Sequence, residues 1–271
     1  MKNYNLIILI LIIFLINSCS GKKKTIVIEE KDLDLQMISA YTKGVEALDE
    51  NDAIRAAKHF NEAEILFPQS EWAPKSALMA GYAFYTQNYY GDAIFELERL
   101  IKTYPTYKAL SYAHFLLGIC HYESIIDEQK DIEPILKAKK QFELVINKYP
   151  DTDFALDSKF KLNLIFDMLA SKEMYLAKYY FEKEKWIPAI NRYKTVVNYY
   201  SETIYIEEAL HRLVEIHYML GLKDEAKKYA HTLGYNYQTS KWYEESYNIF
   251  DKAKKKKLSS KKEKKKYFKK V

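Results

Sequence analysis

Residues 44–68, GVEALDENDAIRAAKHFNEAEILFP, return 37 positions later as residues 81–105, GYAFYTQNYYGDAIFELERLIKTYP. Gly44, Ala56, Phe60, Ala63 and Pro68 correspond to Gly81, Ala93, Leu97, Leu100 and Pro105. A third copy opens at Gly118 and closes through Ala138, Phe142, Val145 and Pro150, with eight extra residues inside Ile126 to Leu136. Two looser copies follow, Ala177-Tyr180-Ala189-Tyr193-Val196 and, again 37 residues on, Val214-His217-Ala226-Ala230-Leu233. Self-similarity at such a period marks supersecondary units that bury their apolar faces only by stacking on their neighbours.

The spacing resembles the tetratricopeptide repeat, a pair of antiparallel helices. Gly44 and Ala56 are placed where helix A crosses helix B, so that a larger side chain would push the backbones apart. Phe60 fills the gap toward the next unit, and Pro68 ends helix B because it has no N–H for the ladder. The expected fold is therefore all-α: a tetratricopeptide solenoid of about five helix pairs, with one surplus helix before repeat four and a C-terminal capping helix. The surplus helix spans Thr152 to Ala170, capped by Asp151 or Thr152, with apolar residues from Phe154 to Met168. Its pattern is compatible with continuation through Lys183 as one rod. Trp186-Ile187-Pro188 opens the following helix B, with proline in the first turn where no N–H is needed. The capping helix is expected at roughly Tyr237 to Lys254.

Composition agrees with this class and excludes others. Among 271 residues there are 7 Gly, 2 Cys and 25 Tyr, which leaves no glycine-rich phosphate loop, disulfide framework or four-thiolate metal site. The six histidines are scattered and no H-E-x-x-H or G-x-S-x-G string occurs. His114 and His121 flank Cys120 on one helix, but residues seven apart lie about 10 Å apart along its axis, too far to share an ion. No enzyme activity, metal or cofactor is expected.

Both ends depart from the body. Lys2 precedes an apolar run from Leu6 to Ile16, too short for a membrane span but suited to a secretory signal. The run ends at Ile16-Asn17-Ser18-Cys19, which resembles a bacterial lipobox and implies Cys19 as the site of lipid attachment. Ser20, rather than Asp, then implies an outer-membrane address. The other end, from Lys252, holds twelve Lys and one acid, Glu263, so the tail carries +11 and residues 1–251 sum to −6. Such a block repels itself and is expected to be disordered, either with affinity for anionic headgroups or an acidic partner or as a solvated tail that aids solubility. The expected organisation is a signal and lipobox at 1–19 and a tether at 20–33. Repeats 1–3 follow at 34–150, the surplus helix with repeats 4–5 and the cap at 151–254, and the tail at 255–271.

The repeat register also selects the residues of the inner wall. These are Ile38, Tyr41, Val45 and Leu48 in repeat one, Lys75, Leu78, Tyr82 and Tyr85 in repeat two, and Tyr112, Phe115, Ile119 and Tyr122 in repeat three. A wall of tyrosines with few polar edges suits an extended peptide, because Tyr offers apolar area and a hydroxyl at low rotamer cost.

Five repeats behind a lipobox, together with particular strings, are similar to the BamD family of lipoproteins of the β-barrel assembly machinery. The strings are Phe67-Pro68-Gln69-Ser70, Tyr89-Tyr90-Gly91-Asp92-Ala93-Ile94 and the run from Leu169 through Tyr179-Tyr180 to Trp186-Ile187-Pro188-Ala189-Ile190-Asn191-Arg192. The resemblance covers about residues 34–254. It implies a scaffold on the periplasmic face of the outer membrane, held by an acyl anchor, that promotes folding and insertion of outer-membrane proteins. Implied partners are a BamA-type barrel protein, contacted through Arg192, Asn191 and Trp186, and unfolded client proteins, with further accessory lipoproteins and no nucleic acid. The client groove would be Tyr41, Lys75, Tyr82, Tyr85, Tyr112, Phe115 and Tyr122. The rival reading keeps the fold and makes the chain a pilotin or an adaptor for cell-wall enzymes. The Lys-rich tail, Cys120 and the eight-residue insertion have no role that the resemblance supplies.

Overall fold

The computed structural model describes residues 33–127 and 131–251; the expected signal, Cys19, the tether and the Lys-rich tail lie outside them. The described residues form eleven helices and no strand. They are α1 (Leu33–Asp49), α2 (Ala53–Leu66), α3 (Trp72–Thr86), α4 (Tyr90–Thr103), α5 (Leu110–Glu123), α6 (Glu133–Lys148), α7 (Asp153–Glu182), α8 (Trp186–Tyr199), α9 (Ile206–Met219), α10 (Lys223–Asn236) and α11 (241–251). Each of α1 to α10 packs chiefly on the helix before and the helix after it, the zigzag of a helical solenoid.

The small residues stand at the crossings. A Cβ on Gly44 would lie 2.7 Å from the Phe60 ring, one on Gly81 would lie 2.9 Å from Leu97 Cγ, and one on Gly118 would lie 2.8 Å from Phe142. In each of these three repeats the large residue of helix B thus presses on the bare backbone of its own helix A. Ala56, Ala93, Ala138, Ala189 and Ala226 are fully buried beside these contacts.

The turn between helices A and B is also periodic. Asn51, Asn88, Glu184 and Gly221 have φ of 59°, 62°, 55° and 81°, and the members of each pair, 51 with 88 and 184 with 221, are 37 residues apart. The next N–H closes on a carbonyl five residues back: Asp52 on Ala47, Tyr89 on Phe84, Lys185 on Tyr180 and Leu222 on His217, at 2.8–3.0 Å. This is a Schellman-type closure, which satisfies a carbonyl the helix leaves free. The third repeat, interrupted by its insertion, has no positive-φ residue at this place among those described.

α7 resolves the surplus helix. It is one 30-residue rod capped by Thr152, whose Oγ1 accepts from the Ala155 N–H at 3.3 Å. Its first half packs on α6 and its second half serves as helix A of repeat four against α8. The surplus segment and that helix A are therefore a single element. At the C-terminal end, α11 begins at 241 rather than at Tyr237, because residues 237–240 form a turn. Tyr243 lies over Gly234, and Ser246 Oγ lies 2.8 Å from His211 Nδ1, so α11 covers the last pair.

Candidate partner-binding surfaces

Two regions collect the residues singled out in the sequence. The first is the helix-A wall of repeats one to three. Tyr41, Tyr82, Tyr85, Tyr112, Phe115 and Tyr122 are all half-buried, and each packs at least one face against the core. They therefore belong to the core and to the wall at once. Tyr41 stands edge-on between Phe60 and Trp72, with ring centroids 5.2 Å away in both cases. Lys75 is exposed and holds its ammonium 5.1 Å from the Tyr41 ring centre and 4.4 Å from that of Trp72. The cation is thus kept by ring faces, with no carboxylate within ion-pair reach among the described residues, and stays available to a partner.

Further along, Tyr82 and Tyr85 are 6.3 Å apart and Tyr85 and Tyr90 are 6.4 Å apart. Burial pushes the Tyr112 phenol up to about 12, and the neighbouring Tyr82 and Tyr85 hydroxyls act in the same direction. The Tyr112 hydroxyl therefore stays protonated at neutral pH and offers both a donor and an acceptor. The wall narrows at repeat three. Phe154, in the first turn of α7, lies 5.2 Å from Tyr112 and 5.5 Å from Phe115, while Lys161 sits 4.4 Å over Tyr122. Sequence reasoning did not place Phe154 or Trp72 in this wall. Trp72 could have been found from its position one turn before Lys75.

The second region is the outer surface of α8. Arg192 Nη1 donates to both carboxylate oxygens of Glu173 on α7, at 3.1 Å each. The Arg192 side chain is 42% exposed against 17% for Glu173. Nη2 and Nε have no protein partner among the described residues, so part of the guanidinium fork remains open. A cleft of about 300 Å³ lies beside it, lined by Tyr180, Ile187, Pro188, Asn191, Arg192 and Thr195. Ile187 is 71% exposed at its mouth. Asn191 is exposed there as well, whereas Trp186 turns inward and packs edge-on against Phe181 at 5.6 Å. Trp186 is thus placed to brace the start of α8, while Asn191 and Arg192 face solvent.

Cys120 and the two histidines near it on α5 are internal. Burial pushes the Cys120 thiol up to about 12, far from a reactive thiolate. His114 Nδ1 meets Gln141 Oε1 at 2.9 Å, and His121 is buried. Among the described residues no three His, Cys, Asp or Glu side chains converge as a metal site, and no helix is long and apolar enough to cross a membrane.

Comparison with known proteins gives a consistent result. The YfiO family, described as outer membrane lipoprotein, matches residues 33–233. The outer membrane protein assembly factor BamD of Caulobacter vibrioides is 36% identical over 235 residues, covering 86% of this chain and 76% of that protein. The BamD of Rickettsia prowazekii is also 36% identical, over 250 residues, covering 92% of this chain and 98% of that one. Among solved structures, the TPR2AB-domain:pHSP90 complex of yeast Sti1 aligns with 82% of this chain and 86% of its own, at 14% identity and a TM-score of 0.42.

Proposed function

This chain belongs to the BamD (YfiO) family of outer membrane lipoproteins, and from that premise we propose that it is a lipid-anchored scaffold of β-barrel assembly facing the periplasm. In this reading Cys19 carries the acyl anchor. The α8 surface holds a BamA-type barrel protein, and the tyrosine wall of repeats one to three receives unfolded outer-membrane clients. No covalent step is needed. The work is to keep two partners at a fixed geometry, which a stack of nested helices does well because each repeat is braced by the next.

One observation carries the proposal. Arg192 is half-exposed and fixed through one nitrogen by Glu173, with its other donors open beside the apolar Ile187. As a lone intramolecular pair it would contribute only about 0–1 kcal/mol to stability. A partner carboxylate that docked there would complete the guanidinium fork and be desolvated by the α8 cleft. The wall supports the client role through its hydroxyls and the ring-held Lys75, which suit an extended backbone and its carbonyls.

The test is co-purification from detergent-solubilised envelopes, comparing the unaltered chain with Arg192→Glu. A BamA-type protein should co-purify in stoichiometric amount and be lost, at a cost of about 2–5 kcal/mol in affinity, on charge reversal. Unchanged capture by Arg192→Glu would remove Arg192 from the interface. If no barrel protein were captured and depletion left only a pilus or division defect, the scaffold reading would fail as a whole.

A further inference from the structure

Continuing the inner-wall register into repeat four selects Ser171, Met174, Lys178 and Phe181 on α7. They line a cleft of about 490 Å³ whose other wall includes Tyr193, Glu208 and Arg212. A second cleft, of about 330 Å³, lies between Asp167 and Phe166 on α7 and residues 199–203 at the end of α8. The two share no lining residue but adjoin along the chain: Asp167 and Ser171 are one turn apart on one wall, and Thr203 and Tyr205 are two residues apart on the other. From Asn163 to Glu182 the trough follows α7 for about 28 Å.

Its chemistry is that of a site for cations. The lining carboxylates are Asp167, Glu182, Glu202 and Glu208. Arg212 is already engaged by Glu208 at 3.4 Å and Glu215 at 2.9 Å. Among the described residues Asp167, Glu182 and Glu202 have no ion-pair partner, and of the two lining cations, Lys178 and Arg212, only Lys178 is unpaired. Tyr193 at the floor is only 2% exposed, yet its hydroxyl has no hydrogen-bond partner among those residues. The ring is buried while the hydroxyl opens on the cleft, where it can accept from a donor. Tyr199, Tyr200 and Tyr175 add aromatic faces to the walls, where an ammonium is further stabilised.

The chain itself contains a segment with the complementary charge. α11 runs along α9, with Trp242 over Arg212 at 5.4 Å and Phe250 against Tyr218 at 5.4 Å. The described chain thus ends at Asp251, one residue past the Phe250–Tyr218 contact, and Tyr218 lies about 9 Å along α9 from Arg212. Residues 252–271 carry twelve Lys and one Glu. Twenty residues reach up to about 70 Å when extended, more than twice the length of the trough. We propose that the trough along α7 is a binding site for an extended lysine-rich strand, and that its occupant is the chain's own segment 252–271. The lysines meet Asp167, Glu182 and Glu202, and one ammonium donates to the Tyr193 hydroxyl. The segment is then an internal competitor for any other basic chain that enters repeats four and five.

Zero-length carbodiimide cross-linking of the full chain tests this, since it joins only carboxylates and amines already in contact. Mass spectrometry should find Asp167, Glu182 and Glu202 joined to lysines of 252–270. The yield should fall about fivefold or more in about 0.5 M salt, where the Debye length shrinks to about 4 Å. The Asp167→Asn/Glu202→Gln pair should lose most of the remaining tail links, and Tyr193→Phe should reduce them while leaving the circular dichroism unchanged. Links spread evenly over exposed acids elsewhere, such as Asp224 and Glu225, would overturn the proposal. So would links between chains in a mixture of light and heavy isotope-labelled protein, which would make a second copy the occupant.

Discussion

Arg99 illustrates how one side chain joins two repeats. Its guanidinium donates to both oxygens of Glu64 at 2.6 and 2.8 Å, to Glu96 at 2.9 and 3.0 Å and to Asn61 at 3.1 Å, while the Tyr104 hydroxyl donates to Glu64 at 2.8 Å. Both carboxylates are buried, and these hydrogen bonds, Glu64's above all, hold the Arg99 pKa far above its ordinary value. Arg99→Ala would leave two buried carboxylates without a counter-ion, so chemical denaturation should show a loss of about 3–5 kcal/mol. A loss under about 1 kcal/mol would mean that water replaces the guanidinium. Buried histidines set a second residue-scale property. Burial, with the Lys137 ammonium acting the same way, lowers His121 to about 4, and burial also lowers His114 and His211. A histidine with a depressed folded pKa stays neutral in the fold while its unfolded counterpart takes up a proton below about 6.5. Stability is therefore full above that pH and falls as pH drops from about 6.5 to 4. His121→Leu should flatten that slope in melts taken across the window, and an unchanged slope would assign the dependence to other groups. Nothing in the linear sequence marks His121 as buried, because its environment is made by packing across α5 and α6.

At the scale of the element, the repeat could be read from the chain because its decisive feature is an absence: bare backbone every 37 residues at Gly44 and Gly81, answered by a large residue 16 positions on. That relation is local in sequence, and coordinates place the same atoms in contact. The clefts could not be read in this way. Phe154 reaches Tyr112 and Phe115 only because the start of α7 packs back on α5, and the α7 trough forms only because residues 199–205 return to it from the end of α8. The A–B turns show the same contrast between pattern and geometry. Asn51, Asn88 and Gly221 are residue types that tolerate the left-handed region, but Glu184 at φ 55° is not. A side chain there costs about 1–2 kcal/mol that glycine avoids, offset in part by the greater chain entropy glycine loses on folding. Glu184→Gly should consequently stabilise the chain by about 0.5–1 kcal/mol, read as a raised Tm. A lowered Tm would show that the Glu184 side chain contributes an interaction larger than the strain.

For the whole molecule, the consequence of α7 is mechanical. In a stack where each repeat touches only its neighbours, stability is nearly a sum of local terms, and the ends can open separately. α7 opposes this by crossing the boundary. Ile165 and Leu169 lie in the core shared with α5 and α6, while Ala170, Met174 and Ala177 lie in the core shared with α8 and α9. One continuous hydrogen-bond ladder thus ties the tyrosine wall of the first three repeats to the Arg192 surface of the last two. A proline at Lys172, which is only partly buried, would remove one rung and clash with the carbonyl one turn earlier, at a cost of about 3 kcal/mol. The halves should then open separately. Amide exchange should rise in α8 to α11 while α1 to α6 keep their protection, and denaturation followed by Trp72 should part from that followed by Trp186 and Trp242. If exchange instead rose equally in both halves, or the three tryptophans still reported one transition, the rod would not be what makes the two surfaces a single body.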